Sequence, residues 1–374
     1  MATRVAINGS TLRWAREIMG LQVESLARSM SVNPERIRSF ENGELKPTFN
    51  QLVNMAKVLD RPPAFFFVPP PETPDIPETV DFRGFATPEI PISLRKELKR
   101  AEAHRRTYLK LAEEADQPFE FGRIGYRNLK TSAEQLRRYL GIDINFLPES
   151  RNSHAVWNYW RSAFEQKGLL VFQTTRISLD VFRALSISHT RNPIIVVNGG
   201  DYPNAKVFSL FHEFAHLANS ASGLCGVDDS IDAEVVANRF AGEFLMPEDQ
   251  LLSFYNSSRA IDKVDSSARH FRVSKLAMAF RLKGLELISQ DQVETVINEF
   301  DQRRARERDE RENDDFFIHP WKLRYRDLSP RYLEIVFHAL NNQKVNEMDV
   351  SYFLNARIPM VEQIKDEYYR RVSS

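Results

Sequence analysis

Residues 208–218 have the sequence Phe208-Ser209-Leu210-Phe211-His212-Glu213-Phe214-Ala215-His216-Leu217-Ala218, an apolar run that three ionisable residues interrupt. In a helix, residues at i and i+4 share one face, so the imidazoles of His212 and His216 can reach a single metal ion. Glu213 is one residue further around the helix, where it can contact a water molecule on the metal rather than the metal. Imidazole nitrogen is a preferred ligand of zinc. The segment therefore predicts a metal-binding helix.

A third ligand is expected on the helix that follows. Residues 220–230 are rich in Gly, Ser and Asp, which predicts a loop, and the helical pattern resumes at Ile231. Glu234 then comes far enough after His216 for a loop and an antiparallel return. Asn238 shares a face with Glu234 and is expected to orient a metal-bound histidine through a hydrogen bond. The alternative is that the histidines are hydrogen-bonded in a core, but three polar groups are costly to bury without such partners.

These motifs carry a resemblance to a known family. The segments that resemble the ImmA/IrrE family of gluzincin-like metallo-endopeptidases are Pro193–Asn198, Phe208–Leu217, Glu234–Ala241 and Leu245–Pro247, within a similarity that extends from about Asp81 to Ile288. The resemblance implies a Zn²⁺ cofactor bound by His212, His216 and Glu234. It also implies that Glu213 is the catalytic general base of peptide hydrolysis.

The N-terminal part of the chain has a different pattern. Four short helices are predicted at Leu12–Met19, Gln22–Met30, Pro34–Glu41 and Thr48–Leu59. Basic and acidic residues balance at 51 each over the whole chain, yet basic residues predominate over residues 1–68, which suits a local DNA-binding surface. The residues expected to be exposed on the third helix, and so to contact DNA, are Asn33, Glu35, Arg36, Arg38, Ser39 and Asn42.

This N-terminal module resembles the Xre/Cro-type helix-turn-helix family. The resemblance is carried by Leu26-Ala27, Val32, Ile37-Arg38-Ser39-Phe40-Glu41-Asn42-Gly43 and Pro47-Thr48. It implies that the second helix of the motif enters the major groove of double-stranded operator DNA, that the protein is a homodimer, and that Arg16 pairs with Glu41. The sequence departs from the family at Ser31, where glycine is more common in the turn. An alternative is a four-helix bundle used only for dimerisation or for gripping a partner protein.

The predicted fold class is mainly α with a small β-sheet, an α+β architecture. An all-α helix-turn-helix domain is expected at residues 1–68, a Pro-rich linker at 69–80, a zincin-like domain at 81–288 and a helical C-terminal extension at 289–374. Strand patterns are found at Leu169–Phe172, Phe182–Ile187 and Ile194–Val197.

Two functions are compatible with these residues. The first is a zinc metallo-endopeptidase and transcriptional regulator that cleaves or recognises a specific repressor-like protein. The second is an antitoxin, in which the zincin domain binds a toxin protein and the helix-turn-helix represses their shared promoter; the C-terminal region, residues 316–369, suggests this function. A transcription factor with a vestigial zinc fold is less favoured because no ligand is missing.

Composition indicates the cellular compartment in which the protein is expected to work. The single cysteine, Cys225, allows no intramolecular disulfide, which favours a reducing compartment. The N-terminus lacks the pattern of a signal peptide, and no apolar run is long enough to span a membrane. We therefore expect a cytoplasmic protein with no membrane partner.

Overall fold

The computed structural model describes residues 3–71, 91–113, 116–143, 146–150, 152–221, 230–313 and 318–372. Residues 72–80 of the predicted linker, and Cys225, lie outside these ranges. Clustering of contacts divides the chain into two units, residues 1–103 and 104–374, and the division falls inside the fifth helix. The domain boundaries expected at residues 68, 80 and 288 stay predictions.

The first unit contains four helices where the apolar pattern predicts them. They are α1 (Gly9–Ile18), α2 (Val23–Met30), α3 (Pro34–Glu41) and α4 (Phe49–Val58), followed by a 3-10 helix (Pro63–Phe67) and by α5 (Ile92–Leu111). Asn8, Asn33 and Thr48 cap α1, α3 and α4, because their side-chain oxygens accept hydrogen bonds from backbone N–H groups of the first turn. Ile37 and Phe40 of α3 are completely buried in the core between these helices. The third helix is therefore held by one face, and its other face is exposed.

The second unit is built around a small mixed sheet. Its strands are β1 (Leu170–Thr174), β2 (Ala184–Ile187) and β3 (Ile194–Asn198), in the order β1-β3-β2. β3 pairs in parallel with β1 and antiparallel with β2. Every residue of β1 and β3 is buried, as their apolar sequences predict, whereas burial alternates along β2, the antiparallel strand, as its alternation of apolar and small or polar residues predicts.

Helices surround this sheet and complete the second unit. They are α6 (Leu129–Leu140), α7 (Ser153–Glu165), α8 (Pro203–Ala221), α9 (Ser230–Leu245), α10 (Glu248–Ser257), α11 (Lys263–Phe271), α12 (Lys275–Gly284), α13 (Gln290–Asn313), α14 (Pro320–Asp327), α15 (Pro330–Asn341), α16 (Glu347–Leu354) and α17 (Ile358–Val372). Phe211 of α8 stacks on Phe244 of α9 with ring centroids 4.2 Å apart, and both are completely buried. Mainly helical structure with a small sheet is the predicted fold class, which is confirmed.

Two arginines, one buried and one half-buried, connect the C-terminal helices to the rest of the second unit. Arg161 of α7 donates hydrogen bonds to the carbonyl oxygens of Val171 in β1 and Leu328 after α14, at 2.6 and 2.8 Å from Nη2. Arg331 of α15 donates to the carbonyl oxygen of Glu165 at 2.8 Å and forms an ion pair with Asp116 at 2.5 Å. The C-terminal helices are therefore part of this unit, and the two arginines donate to carbonyl oxygens where these helices meet the rest of it.

Candidate metal centre and DNA-contact surface

The two histidines of the HExxH segment lie one turn apart on α8. His212 and His216 point to the same side of the helix, and their Nε2 atoms are 3.0 Å apart. The flanking residues Phe211 and Phe214 are completely buried, so α8 is fixed by its apolar face and presents the imidazoles on the other side. The helical periodicity of the sequence is therefore what brings the two rings together.

Glu234 of α9 completes a triangle of atoms that can serve as metal ligands. Its two carboxylate oxygens lie 3.3 Å from His212 Nε2 and 3.2 Å from His216 Nε2. One ligand atom from each of the three residues can be chosen so that all lie within 4.8 Å of one another. The structure thus brings together the three side chains that the sequence analysis proposed as metal ligands.

The hydrogen bonding of His212 makes this triangle suited to a cation. Its Nδ1 lies 3.0 Å from Asn238 Oδ1, which can only accept, so this contact favours the neutral ring with its proton on Nδ1 and a lone pair on Nε2. In this neutral form His212 Nε2 and the carboxylate of Glu234 are both acceptors, as two ligands of one cation must be, whereas a protonated ring donates a hydrogen bond from Nε2 to Glu234. Four ligands at about 2.0 Å around a tetrahedral metal ion are about 3.3 Å apart. The observed separations match that value, so the residues fit a metal ion of this kind.

Mutual interactions shift the pKa values of this cluster. The hydrogen bonds from His212 and His216 hold the pKa of Glu234 far below its ordinary value. Burial by itself would lower the pKa of His212, but the hydrogen bond to Glu234 and the charges of Glu213 and Glu234 outweigh burial, and the pKa is raised. Glu234 is therefore an anionic carboxylate, and protons compete with a metal ion for His212.

Glu213 lies beside the triangle on α8 and is connected to the sheet. Its side chain is mostly buried, and its Oε2 accepts a hydrogen bond of 2.8 Å from Ser186 Oγ on β2. Ser186 was not among the site residues predicted from the sequence. The alternation of apolar and polar residues along β2 was a signal that Ser186 faces away from Leu185 and Ile187, but its partner depends on the packing of α8 against β2.

The predicted DNA-contact residues lie on or beside α3, mostly exposed. Asn33 caps the helix by accepting from the backbone N–H of Glu35 at 3.0 Å. Arg38 is held between two carboxylates, Glu35 on the same helix and Glu24 on α2, the latter at 2.6 Å. Arg36 is exposed. Of these residues, Arg38 has its charge compensated within the chain, and it must exchange a carboxylate for a base or phosphate if it binds DNA.

The end of α3 carries the remaining two predicted contacts. Ser39 Oγ donates to Glu44 at 3.1 Å, and Asn42 accepts a hydrogen bond of 2.8 Å from Arg13 on α1. Both side chains therefore have partners in the structure. Their assignment as DNA contacts, like that of the other four residues, stays a prediction.

Two further features of the first unit follow the sequence analysis. Arg16 and Glu41 are both buried and form a bidentate ion pair, with Nε–Oε1 at 2.6 Å and Nη2–Oε2 at 3.0 Å. Ser31, which occupies the position where glycine is more common, has a left-handed backbone with φ 52°. The turn between α2 and α3 therefore has the usual left-handed geometry, adopted by a residue that favours it less than glycine does.

Two segments of the chain match known families. Residues 137–283 match the model of the IrrE N-terminal-like domain family, and residues 12–66 match a helix-turn-helix family. A transcriptional regulator from Mycobacterium tuberculosis is 16% identical, with a TM-score of 0.31, and the match covers 49% of this chain and 51% of that protein. The structure of Bacillus thuringiensis PlcR in complex with the peptide PapR7 and DNA is 13% identical, with a TM-score of 0.16 and coverage of 99% and 98%.

No curated protein matches the chain. Among the described residues, none of the helices is at once long enough and apolar enough to cross a lipid bilayer. The family matches confirm the two resemblances of the sequence: the chain carries a helix-turn-helix segment at residues 12–66 and an IrrE N-terminal-like domain at residues 137–283.

Proposed function

We propose that this protein is a zinc-dependent endopeptidase that cleaves a specific regulatory protein, joined to a module that binds operator DNA. The observation that carries the proposal is the triangle of His212, His216 and Glu234 with the carboxylate of Glu213 beside it. Two imidazoles and one carboxylate form a ligand set of catalytic zinc sites, which leave a position open for substrate. When bound, the metal ion would polarise the scissile carbonyl and increase the acidity of water.

Glu213 is proposed as the group that transfers the proton. Its neighbour His212 is in the ligand triangle, while the Glu213 side chain itself turns towards Ser186, outside that triangle. A carboxylate in this position can accept a proton from the attacking water and return it to the leaving amine. The hydrogen bond from Ser186 holds the carboxylate in one orientation while leaving its other oxygen available for this exchange.

The edge of the sheet offers a place for an extended substrate. Within the described residues, β2 pairs with β3 along one side only, and Ser186 of β2 touches Glu213. An unpaired strand edge can accept a further strand through backbone hydrogen bonds. A polypeptide that pairs with β2 would pass directly beside the proposed proton-transfer group, which supports a protein substrate over a small molecule.

The DNA-binding part of the proposal depends on α3. We propose that the exposed face of this helix, from Asn33 to Asn42, enters the major groove, that a homodimer reads two half-sites, and that the protein works in the cytoplasm. The helix-turn-helix match over residues 12–66 supports this assignment. Glu35 would require a cytosine amino group or a bridging water, since a carboxylate repels phosphate.

The test is cleavage of a candidate partner by purified full-length protein. The protein, supplied with zinc, is incubated with the product of the adjacent gene, and fragments are analysed by mass spectrometry. The matched variant is Glu213→Gln, which keeps the size and the Ser186 contact of the side chain but cannot take up the proton. We expect fragments with the wild-type chain and none with Glu213→Gln, while both bind one zinc ion. Equal cleavage by both would refute the role of Glu213.

A second function, binding of a toxin without cleavage, is favoured by one surface of the C-terminal helices. Met348 and Tyr352 are four positions apart on α16 and are 67% and 84% exposed. Large exposed apolar side chains that share a helix face are typical of protein interfaces. Under this function the partner stays intact and co-elutes with the protein, and Glu213→Gln leaves the complex unchanged.

A further inference from the structure

A second group of polar residues lies away from the metal centre, between α7, β1, the first turn of α8 and the end of α14. On α7, His154, Trp157 and Arg161 form one stripe with helical spacing. Arg161 is at the buried end, where Glu165 pairs with it and carbonyl oxygens accept its hydrogen bonds. His154 is exposed. This group of residues between α7, β1, α8 and α14, called the seam below, therefore runs from the surface into the interior of the second unit.

Lys206, in the first turn of α8, is the central cation of this seam. The residue is only 3% exposed, and among the described residues its Nζ donates one hydrogen bond, of 2.9 Å, to Gln173 Oε1. The Nζ atom also lies 5.0 Å from the centroid of the Trp157 ring. An ammonium group has three donors and is costly to bury without an anion. Two of its donors are therefore available to a ligand.

Arg326, at the end of α14, adds a second cation with incomplete hydrogen bonding. Its Nε and Nη2 atoms are buried and donate to no acceptor among the described residues. The nearest carboxylate is that of Asp327, whose Oδ1 is 3.9 Å from Nε, too far for a hydrogen bond. A Cβ at position 199 would lie 3.5 Å from Nη2, in contact with the guanidinium group. Because Gly199 has no side chain, that space stays open.

The electrostatics of the seam show an excess of positive charge. Burial, followed by the charges of Arg326 and Arg161, lowers the pKa of Lys206 to about 8, although Asp201 and Asp327 act in the opposite direction. Asp201 is itself occupied by Arg183 at 2.9 Å. Burial and the charges of Lys206 and Arg326 also lower the pKa of His154. The cations repel one another, and an anion between them would relieve this repulsion.

We propose that Lys206, Arg326 and the indole Nε1 of Trp157 form a binding site for a phosphate-type oxyanion, free or as a monoester. Trp157 is 2% exposed, and its Nε1 has no hydrogen-bond acceptor among the described residues, so it provides a further buried donor. Guanidinium and ammonium groups together complement the several acceptor oxygens and the double charge of phosphate better than the two oxygens of a carboxylate.

The position of the site suggests what an anion would do. Lys206 and Trp157 lie within the part of the chain that matches the IrrE N-terminal-like domain, while Arg326 belongs to the C-terminal helices. A bound oxyanion would therefore connect the two parts. Lys206 also precedes His212 by six residues on α8, which is about 9 Å along the helix axis. The ligand would thus act on the helix that carries the proposed metal ligands.

The test is binding of inorganic phosphate to the purified full-length protein, measured by isothermal titration in a phosphate-free buffer. Phenyl phosphate and acetate are titrated in parallel, to separate a monoester ligand from free phosphate and to compare a carboxylate. The variants are Lys206→Met and Arg326→Gln. Lys322→Met, which removes an exposed lysine from α14, is the control. Metal binding is not required, so failure here leaves the proposed peptidase untouched.

We expect millimolar or tighter phosphate binding to the wild type, and at least a tenfold weaker affinity, about 1.4 kcal/mol, in Lys206→Met and Arg326→Gln. Lys322→Met should bind as the wild type does. Without phosphate, Lys206→Met should unfold at the same or a higher temperature, because it removes a buried charge that has no bound anion. If Lys206 were purely structural, Lys206→Met would instead lower the unfolding temperature of the protein. Equal phosphate affinity in wild type and Lys206→Met, or no binding at all, overturns the proposal.

Discussion

Asn238→Ala should weaken zinc binding although Asn238 is not a proposed ligand. Its Oδ1 is 3.0 Å from His212 Nδ1 and so selects the tautomer in which Nε2 faces the other two ligands. Without this acceptor, the ring can rotate or place its proton on Nε2. Loss of such a supporting hydrogen bond typically lowers metal affinity 10- to 100-fold, which corresponds to about 1.4–2.7 kcal/mol.

The assay is competition for zinc between the protein and a chromophoric chelator at neutral pH. Two variants control it. Asn238→Asp keeps an acceptor oxygen at the same place and should retain the wild-type affinity or exceed it. Arg239→Ala changes the next residue on α9, whose guanidinium lies over the ring of Tyr126, and should leave the affinity unchanged. An Asn238→Ala protein that binds zinc within twofold of the wild type would refute the orienting role of this hydrogen bond.

Three further predictions concern stability. Ser31→Gly should stabilise the first unit by about 0.5–1 kcal/mol, because glycine adopts the left-handed backbone at φ 52° without a steric cost; denaturant unfolding measures the gain. Glu41→Gln should destabilise that unit by about 3–5 kcal/mol, since it leaves the charge of Arg16 buried without a partner, and hydrogen exchange across α1 should accelerate. Burial and the hydrogen bond to Asp116 raise the pKa of Tyr108 to about 12, so its protonated form is favoured in the fold. This stabilisation, about 2–3 kcal/mol, is present below pH 10 and lost between about pH 10 and 12. As the pH rises through this range, the melting temperature of Tyr108→Phe should therefore fall less steeply than that of the wild type.

The local part of the site could be predicted from the sequence because it depends on helical periodicity alone. His212 and His216 share a face wherever residues 208–218 form a helix. Glu234 could be anticipated because the helical pattern resumes at Ile231, soon enough after His216 for the second helix to return alongside the first. In the same way, Pro34 after Asn33 predicted where α3 begins, and the structure agrees.

Contacts between distant elements could not be predicted in this way. The hydrogen bond from Ser186 to Glu213 requires the order and register of the sheet, which a single strand pattern does not specify. Arg161 and Arg331 were overlooked because charged residues are usually exposed, whereas here they donate to carbonyl oxygens within the second unit. Lys206 was overlooked for the same reason.

The aromatic core between α8 and α9 explains why the proposed metal ligands converge. His212 and Glu234 lie on different helices, so the packing of α8 against α9 sets the distance between them. The stack of Phe211 on Phe244 joins α8 to α9 directly below them. Sliding α9 by one residue would move Glu234 by about 1.5 Å and break this stack, and close-packed interiors resist such shifts. We therefore expect this domain to stay folded when its metal is removed by a chelator, whereas small zinc domains fold only when the ion binds.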